Sequence, residues 1–187
     1  QIFADIRNYE TLKKSINKFK PEIIVHMAAQ SIVRESFENP IYTFETNIIG
    51  TANLLEISKE LSSIKSILVI TSDKCYENIE KNISYKETDK MGGHDPYSAS
   101  KGCAELIAAS YHRSFFYDSY DVSLATARAG NVIGGGDWAT DRLIPDFVRA
   151  LQNESAIEIR YPNSLRPWQY VLEPLRGYLM LAEKQYQ

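Results

Sequence analysis

Short apolar runs alternate with longer stretches of helical periodicity along this 187-residue chain, and the alternation constrains its fold more than any other feature. Three runs predict strands, at 22–28, 66–71 and 122–128. Each run is too apolar to leave one face in water, so we predict strands that are buried on both faces. Helical stretches lie beside them, at 9–20, 40–61 and 97–116. This order predicts an α/β fold with a parallel, doubly wound sheet of Rossmann type.

Start signals and shorter segments complete the predicted order of elements. Asn39-Pro40 and Asp95-Pro96 predict helix starts, because proline is tolerated at the first helical position and Asp can cap free N–H groups. Beyond the third strand, the pattern predicts a helix at 142–152, a strand at 156–160, an extended segment at 168–172 and a last helix beyond Pro174.

Charge and composition exclude several classes of function. Lys and Arg number 21 against 24 Asp and Glu, a net charge of −3, so the chain lacks the basic excess of a sequence-independent nucleic-acid binder. Its apolar runs are far shorter than the roughly 18 residues of a membrane-spanning helix. Cys75 and Cys103, with three histidines in the chain, give no metal-binding pattern. We therefore expect a cytoplasmic protein without a resident metal and without a nucleic-acid or membrane partner.

Small or polar residues follow each of the three predicted strands. They form the segments His26–Ser31, Thr71–Lys74 and Arg128–Asn131. Ligands of a doubly wound sheet bind beyond the carboxyl ends of its strands. The small residues of the first segment would let a flat cofactor lie on the backbone. We therefore expect the three strand ends to form a single crevice.

Tyr97 and Lys101 form the strongest local signal, in the segment YSASK. Four residues apart on a helix, their side chains share one face. A free tyrosine has a pKa of about 10, and a nearby ammonium or cationic cofactor ring lowers that value. The pair can then take a proton from a carbinol while hydride leaves the carbon. Such pairs also arise by chance on helices, so the neighbouring Thr71-Ser72 segment gives this one its weight.

Six segments together carry a resemblance to a known family. They are VHMAAQS (25–31), ETNIIGTANLLE (45–56), TSDKCY (71–76), MGGHDPYSASKGCAEL (91–106), RAGNVIGGGDWATDRLIPD (128–146) and RPWQYVLEPL (166–175). The chain resembles the extended short-chain dehydrogenase/reductase family and, within it, the CDP-glucose 4,6-dehydratases. The lysine at position 74 and the long segment 128–146 are the most specific parts of the match.

The resemblance implies a catalytic role for each of five residues. Tyr97 would be the base that drives oxidation at C4 of the sugar, and Lys101 would lower its pKa and hold the nicotinamide ribose. Ser72 would hydrogen-bond the C4 oxygen, and Asp73 would protonate the departing C6 hydroxyl. Lys74 occupies the position of the glutamate that removes the C5 proton in dTDP-glucose dehydratases. Two roles stay open for Lys74: base in its neutral form, or cation that stabilises the enolate.

The implied chemistry is an internal redox cycle on a nucleotide-bound glucose. NAD takes hydride from C4, the ketone acidifies the C5 proton, water leaves across C5–C6 and hydride returns to C6. The product of this hydro-lyase is a 4-keto-6-deoxy sugar nucleotide. Two alternatives stay open: an epimerase or reductase of the same family, which would not need the Asp73-Lys74 pair, and a non-catalytic NAD-binding relative. The choice of CDP-glucose rests on the resemblance alone.

The resemblance also assigns binding residues by position. The cofactor-binding positions are Asp5, Ile6, Met27, Ala28, Ala29, Gln30, Thr46, Tyr97, Lys101 and Val132. The substrate-binding positions are Ser31, Ser72, Asn131, Arg142, Leu143 and Arg166. Arg166 suits a pyrophosphate because its planar guanidinium can pair two oxygens at once. In resembling enzymes the outer sides of the two long helices pair with a second subunit, so we expect a homodimer.

The start of the chain departs from the family pattern. The Gly-rich fingerprint that holds the NAD pyrophosphate is absent, and the first residue is Gln1 rather than Met. We therefore expect a piece of a longer protein that is inactive alone. We predict a Rossmann-type NAD-binding domain at 1–135, without its first strand–helix–strand unit. Residues 136–187 would be a mixed segment, part of the domain that binds the sugar nucleotide.

Several of these residues also have purely structural interpretations. His26 ends a buried strand and is predicted to be a packed, hydrogen-bonded side chain rather than a catalyst. The two cysteines are expected to behave as small apolar residues. Gly134–Gly136 could form only a flexible loop. Arg160 and Arg166 could be solvated surface charges, and only the family match at 166–175 favours a binding role for Arg166.

Overall fold

A three-stranded parallel sheet forms the centre of the protein in a computed structural model, which describes residues 1–79, 81, 83–117 and 121–187. The strands are β1 (Ile23–His26), β2 (Ser66–Ile70) and β3 (Ser123–Ala127), in the order β1-β2-β3. Ile24 lies opposite Ile67, and Ile67 lies opposite Leu124, so all three strands end at the same edge. The three predicted strands and their parallel arrangement are confirmed.

Seven α-helices surround this sheet in the described part of the chain. They are α1 (Tyr9–Phe19), α2 (Val33–Glu38), α3 (Pro40–Phe44), α4 (Gly50–Ser58), α5 (Pro96–Tyr111), α6 (Leu143–Gln152) and α7 (Leu172–Tyr186). A π-helical turn at Glu45–Ile49 joins α3 to α4, a 3₁₀ turn at Asp73–Cys75 follows β2, and a second π-helical turn at His112–Phe116 extends α5. Both helix starts predicted at proline are confirmed, whereas α2 was not predicted. No helix among the described residues is both long and apolar enough to cross a bilayer.

Alternate residues of β2 point to opposite faces of the sheet, and helices cover each face. Ile67 packs with Leu55 of α4 and Ala108 of α5 in the main apolar core. Ser66 points the other way, and its hydroxyl lies 3.4 Å from the side-chain oxygen of Gln185 on α7. The sheet is therefore covered on both faces, as a doubly wound fold requires.

The outer strand β1 contradicts the prediction that every strand is buried on both faces. Ile24 packs against the cluster formed by α1 and α4, but the side chains of Ile23 and Val25 are exposed. The reason is that β1 is the last strand of the described sheet, and α7 lies mainly over β2. The face that carries Ile23 and Val25 is therefore only partly covered.

The predictions for the second half of the chain are partly wrong. The predicted strand at 156–160 is not a strand, and most of its side chains are exposed. Its last residue, Arg160, donates from Nη1 to Asp141 at 3.0 Å instead. The extended segment at 168–172 contains β5 (Gln169–Tyr170), which pairs in parallel with β4 (Val132–Ile133). Helix α7 then begins at Leu172, two residues before Pro174.

Candidate active site

Helix α5 begins beside α2 and fixes the position of Tyr97. Asp95 caps the helix, because its Oδ1 accepts a hydrogen bond from the backbone N–H of Ser98 at 2.9 Å. The backbone N–H of Tyr97 donates to Ser36 Oγ of α2 at 3.2 Å. The Tyr97 side chain is itself buried. The first turn of α5 is thus held from two sides.

The segment after β2 brings two further candidates to Tyr97. Ser72 Oγ accepts from the backbone N–H of Lys74 at 3.2 Å and donates to Asp73 Oδ1 at 3.1 Å. The Ser72 side chain lies close enough to the Tyr97 phenol to lower its pKa. The Asp73 carboxylate and the Arg142 guanidinium are close enough to act electrostatically on the phenol. The structure therefore joins Tyr97, Ser72 and Asp73 in one cluster.

The surroundings of Tyr97 keep its phenol in the protonated form. Burial raises the pKa of Tyr97 above its ordinary value, and the Ser72 side chain acts in the opposite direction. The charge of Asp73 adds to the increase, and Arg142 opposes it. The balance of these side chains is a raised pKa. The lowering expected from the sequence therefore depends on a further positive charge.

Lys101 is buried one helical turn beyond Tyr97. Its Nζ donates to the carbonyl oxygen of Ile70, at the end of β2, over 3.2 Å. Burial lowers the pKa of Lys101 to about 8, and the Glu105 carboxylate opposes this effect. Within the described residues, Ile70 is the one hydrogen-bond partner of this ammonium. Two of its three N–H donors are therefore available to a ligand.

The π-helical turn near the end of β1 holds a buried hydroxyl that has no hydrogen-bond partner among the described residues. Thr46 is 8% exposed, and its Oγ1 makes no hydrogen bond to any described residue. A buried hydroxyl without a partner is costly unless a ligand satisfies it. Met27 and Ala28, directly after β1, are exposed, and Ala29 is half-buried. These positions therefore fit the cofactor role that the resemblance assigns to them.

Gln30 is held inside the protein rather than facing a crevice. Its backbone N–H donates to Asn47 Oδ1 at 2.8 Å, and its Nε2 donates to Thr43 Oγ1 at 2.8 Å. Asn47 also donates to Ser100 Oγ on α5 at 2.8 Å. Asn47 thus ties the end of β1 to α5. The sequence reasoning missed Asn47, and its one signal was its place in the family segment 45–56.

The first residues of the chain lie against the same π-helical turn. Arg7 pairs with Asp5 at 2.7 Å and with Glu45 at 3.1 Å. A Cβ atom on Gly50 would lie 2.4 Å from Ile6 Cδ1, so the two residues are in close contact. The structure therefore brings Asp5 and Ile6 to the turn that carries Thr46.

The residues assigned to the substrate are only partly brought together. Arg142 donates from Nη2 to Ser31 Oγ at 2.7 Å and from Nη1 to Asp137 at 2.9 Å. Leu143 starts α6 beside Arg142 and is exposed. Asn131, a further substrate position, immediately precedes β4, and its carbonyl accepts from the backbone N–H of Gln169. Val132, which the resemblance assigns to the cofactor, is the first residue of β4.

Arg166 lies apart from this group in the described contacts. Its side chain is exposed, and its one described hydrogen bond runs from Nη1 to the carbonyl oxygen of the neighbouring Leu165. The structure therefore brings Ser31 and Arg142 to the cluster of Tyr97 and Ser72 but does not bring Arg166 there.

The structural interpretations of His26 and the cysteines are confirmed. His26 is buried, and its Nε2 lies 3.0 Å from Thr51 Oγ1. Burial lowers the pKa of His26 to about 4, so the ring is neutral at physiological pH. Cys75 is a buried free thiol whose pKa is raised by burial to about 11, and Cys103 is also free. No group of His, Cys, Asp and Glu in the described residues could hold a metal ion.

Sequence comparison places the chain among nucleotide-sugar enzymes. The family model described as GDP-mannose 4,6 dehydratase matches residues 2–187. Over 187 residues the chain is 56% identical to the CDP-glucose 4,6-dehydratase of Salmonella typhimurium, covering 98% of this chain and 52% of that enzyme. Over 166 residues it is 31% identical to the dTDP-D-glucose 4,6-dehydratase of Dictyostelium discoideum, covering 83% of this chain and 37% of that enzyme.

Structure comparison gives the same result. The dTDP-glucose 4,6-dehydratase DesIV of Streptomyces venezuelae, solved with NAD bound, has a TM-score of 0.84 and 28% identity, covering 96% of this chain and 53% of that chain. The chain thus spans about half the length of the Salmonella and Streptomyces enzymes. The Rossmann-type fold expected from the sequence is confirmed. With the family model matching nearly every residue, the chain belongs to the GDP-mannose 4,6 dehydratase family of extended short-chain dehydrogenases/reductases.

Proposed function

We propose that this chain carries the catalytic centre of an NAD-dependent hydro-lyase that converts CDP-glucose to its 4-keto-6-deoxy product. The observation that carries the proposal is that Tyr97, Ser72 and Asp73 lie close together at the end of β2. An enzyme that only moved hydride at C4 would not need the Asp73-Lys74 pair beside its tyrosine. The 56% identity to a CDP-glucose 4,6-dehydratase supports the choice of nucleotide.

The chain's own side chains would perform the proton transfers. Tyr97 would take the proton of the C4 hydroxyl, while Ser72 holds the C4 oxygen in place. Asp73, in its protonated carboxylic acid form, would then give its proton to the C6 hydroxyl, which leaves as water. The distance of 3.1 Å between Ser72 Oγ and Asp73 Oδ1 would put the two side chains on the same sugar ring. Arg142 and Ser31, joined at 2.7 Å, would bind the nucleotide side of the substrate.

The cofactor proposal rests on the unsatisfied and exposed groups at the strand ends. NAD, when bound, would accept hydride from C4 and return it at C6. The unpartnered Thr46 hydroxyl and the free N–H donors of Lys101 would hydrogen-bond it, and Met27 and Ala28 would pack against it. Titrating NAD against the wild type and Thr46→Val tests this role, and equal affinity in the two proteins would contradict it.

The role of Lys74 can be decided by two substitutions. No carboxylate among the described residues lies within ion-pair distance of its ammonium, so the side chain is available to a substrate. If Lys74 removes the C5 proton, Lys74→Glu should retain activity, because a glutamate performs this step in the resembling dTDP-glucose enzymes, whereas Lys74→Met should lose it. If Lys74 acts as a cation, Lys74→Glu should be the more damaging change. Exchange of the C5 proton with solvent deuterium measures the step directly.

The overall activity is tested with the complete protein that carries this sequence. CDP-glucose should give a product that absorbs in alkali, and Tyr97→Phe should lower kcat by about 10²–10⁴-fold through loss of the base. The matched control is Tyr111→Phe, because the Tyr111 hydroxyl donates to Glu56 at 2.9 Å, away from the cluster. A C4-epimerised sugar as product would contradict the proposal. Parallel assays with dTDP-, UDP- and GDP-glucose identify the nucleobase.

We also propose a homodimer. The outer surfaces of the long helices expose Ile49, Leu106 and Phe115, large apolar side chains that water would otherwise contact. A second copy of the chain would cover them by pairing these helices. Light scattering at micromolar concentration should give twice the monomer mass, and a monomer would contradict the proposal.

Compartment and domain division are proposals of the same kind. The two free cysteines support a reducing cytoplasmic setting.

For the domains, we propose an NAD-binding part at 1–135 and a part that binds the nucleotide sugar at 136–187, from which α7 returns to pack on the sheet. Limited proteolysis should cut first near residue 136, and first cuts inside either part would contradict this boundary.

A further inference from the structure

A buried carboxylate lies one helical turn beyond Lys101, and the proton transfers above do not use it. Glu105 is 3% exposed. Arg128 donates to it from Nε and from Nη2, each at 2.9 Å, and Thr126 Oγ1 donates at 2.8 Å. Thr71 Oγ1 donates to the same carboxylate. Burial disfavours the charged carboxyl, but the hydrogen bonds from Arg128, Thr71 and Thr126 outweigh it and lower the pKa of Glu105.

These four hydrogen bonds join three elements that meet at the site. Glu105 lies on α5, the helix that carries Tyr97 and Lys101. Thr71 immediately precedes Ser72 at the end of β2, and Thr126 and Arg128 lie at the end of β3. The carboxylate therefore sets the separation between α5 and two strand ends. A shorter or neutral side chain could not accept all four bonds in the same positions.

Stability alone does not account for such a pair. A buried ion pair contributes little net stability compared with well-packed apolar residues, because removing both charges from water offsets their attraction. We propose that Glu105 and Arg128 form a positioning pair, which fixes the ends of β2 and β3 so that Ser72 and Asp73 face Tyr97. This inference rests on the proposed function, because it concerns the same site.

The pair also contributes charge near Lys101. The groups that act on this ammonium are Glu105 from its own helix and the Cys75 thiol from the turn after β2, and the buried ring of His26 on β1 lies within reach of its field. Glu105 is the carboxylate that keeps the pKa of Lys101 from falling further. Removing its charge should therefore lower the pKa of Lys101 below about 8.

The test compares Glu105→Gln, Glu105→Asp and a control in the complete protein. Glu105→Gln should lower kcat by about 10- to 100-fold, as a misplaced catalytic group does, while KM for CDP-glucose changes less than about twofold. The alkaline limb of its kcat/KM profile, which deprotonation of the Lys101 ammonium would set, should move to lower pH. Glu105→Asp keeps the charge, so kcat should fall without this movement. The control is Glu60→Gln, which removes an exposed carboxylate paired with Lys13 at 2.6 Å and should change neither.

Thermal unfolding separates positioning from mere stability. A folded Glu105→Gln protein with the wild-type kcat and pH profile would refute the positioning pair. A decrease in kcat that equals the decrease in the fraction of folded protein, without a shift of the alkaline limb, would also refute it. If Glu105→Gln does not fold, Thr126→Val removes one hydrogen bond without changing charge. It should lower kcat several-fold, and an unchanged kcat would overturn the inference. A wild type inactive on every nucleotide-glucose would refute the proposed function, and the positioning pair with it.

Discussion

His26 should make the folded protein lose stability as the pH falls from about 6.5 to about 4. The ring is 7% exposed, and its Nε2 lies 3.0 Å from Thr51 Oγ1. The Thr51 hydroxyl donates to the Asn47 carbonyl oxygen at 2.7 Å, so Thr51 must accept from His26. The neutral ring therefore carries its proton on Nε2. Burial lowers the pKa of His26 to about 4, and the charge of Lys101 adds to the decrease.

The sign of the effect follows from proton binding in the two states. The unfolded ring has a pKa of 6.5 and the folded ring a pKa of about 4, so between these values only the unfolded chain binds the proton. The free energy of unfolding therefore falls as the pH decreases through this window, and the loss ends below pH 4, where both states are protonated. At about 1.4 kcal/mol per pH unit, the full loss is about 3 kcal/mol.

Urea unfolding of the wild type and His26→Gln at several pH values measures this contribution. The glutamine amide can donate to Thr51 but does not titrate. Between pH 7 and pH 4, the free energy of unfolding of His26→Gln should therefore fall by about 3 kcal/mol less than that of the wild type. Carboxylates titrate in both proteins, and their contribution cancels in the difference. Parallel curves for the wild type and His26→Gln would refute the reasoning.

Three further predictions concern the framework of the site, each measured by urea unfolding. Asp95→Ala removes the cap of α5 and should cost about 1 kcal/mol, whereas no loss would show that the bond to Ser98 contributes nothing. Leu55→Ala empties a fully buried core position and should cost about 2–5 kcal/mol, against less than about 0.5 kcal/mol for Leu179→Ala on the exposed side of α7. Gly93→Ala should destabilise the protein by more than about 1 kcal/mol, because φ is 147° and the new Cβ would lie 2.3 Å from the backbone nitrogen of Ala99. Gly177→Ala has no atom within 4 Å of its Cβ and should stabilise α7 by about 0.5–1 kcal/mol, so a loss there would contradict the glycine argument.

Long helices and strands were predictable from the sequence, and two-residue strands were not. The three sheet strands carry continuous apolar runs, and the long helices begin at proline signals that the structure confirms. Strands β4 and β5 have two residues each, too few to show any period. The segment 156–160 alternates like a strand through Ile157 and Ile159 but finds no partner strand in the described chain. Pairing depends on distant residues, which local periodicity does not report.

The same distinction applies to the candidate site. The spacing of Tyr97 and Lys101 predicted a shared helix face, and the family resemblance supplied the roles of Ser72 and Asp73. Asn47 and Glu105 were not predicted as site residues, because their partners lie far away in sequence. Asn47 bonds a residue 53 positions away, and the Arg128 partner of Glu105 is 23 positions away. Only the folded chain shows that such polar residues hold the site together.

Burial shifts the pKa values of Tyr97 and Lys101, which lie one turn apart on α5, in opposite directions. It raises the pKa of Tyr97 and lowers that of Lys101 to about 8, because poorly solvated surroundings disfavour charge of either sign. A tyrosine base at neutral pH needs the phenolate, so the proposed reaction needs positive charge close to the phenol. Arg142 is the described cation that opposes the increase at Tyr97, and its guanidinium also bonds Ser31. In the proposed reaction, the residue that would bind the sugar nucleotide would therefore also favour the phenolate of Tyr97, and the reactivity of Tyr97 would depend on the substrate side of the crevice.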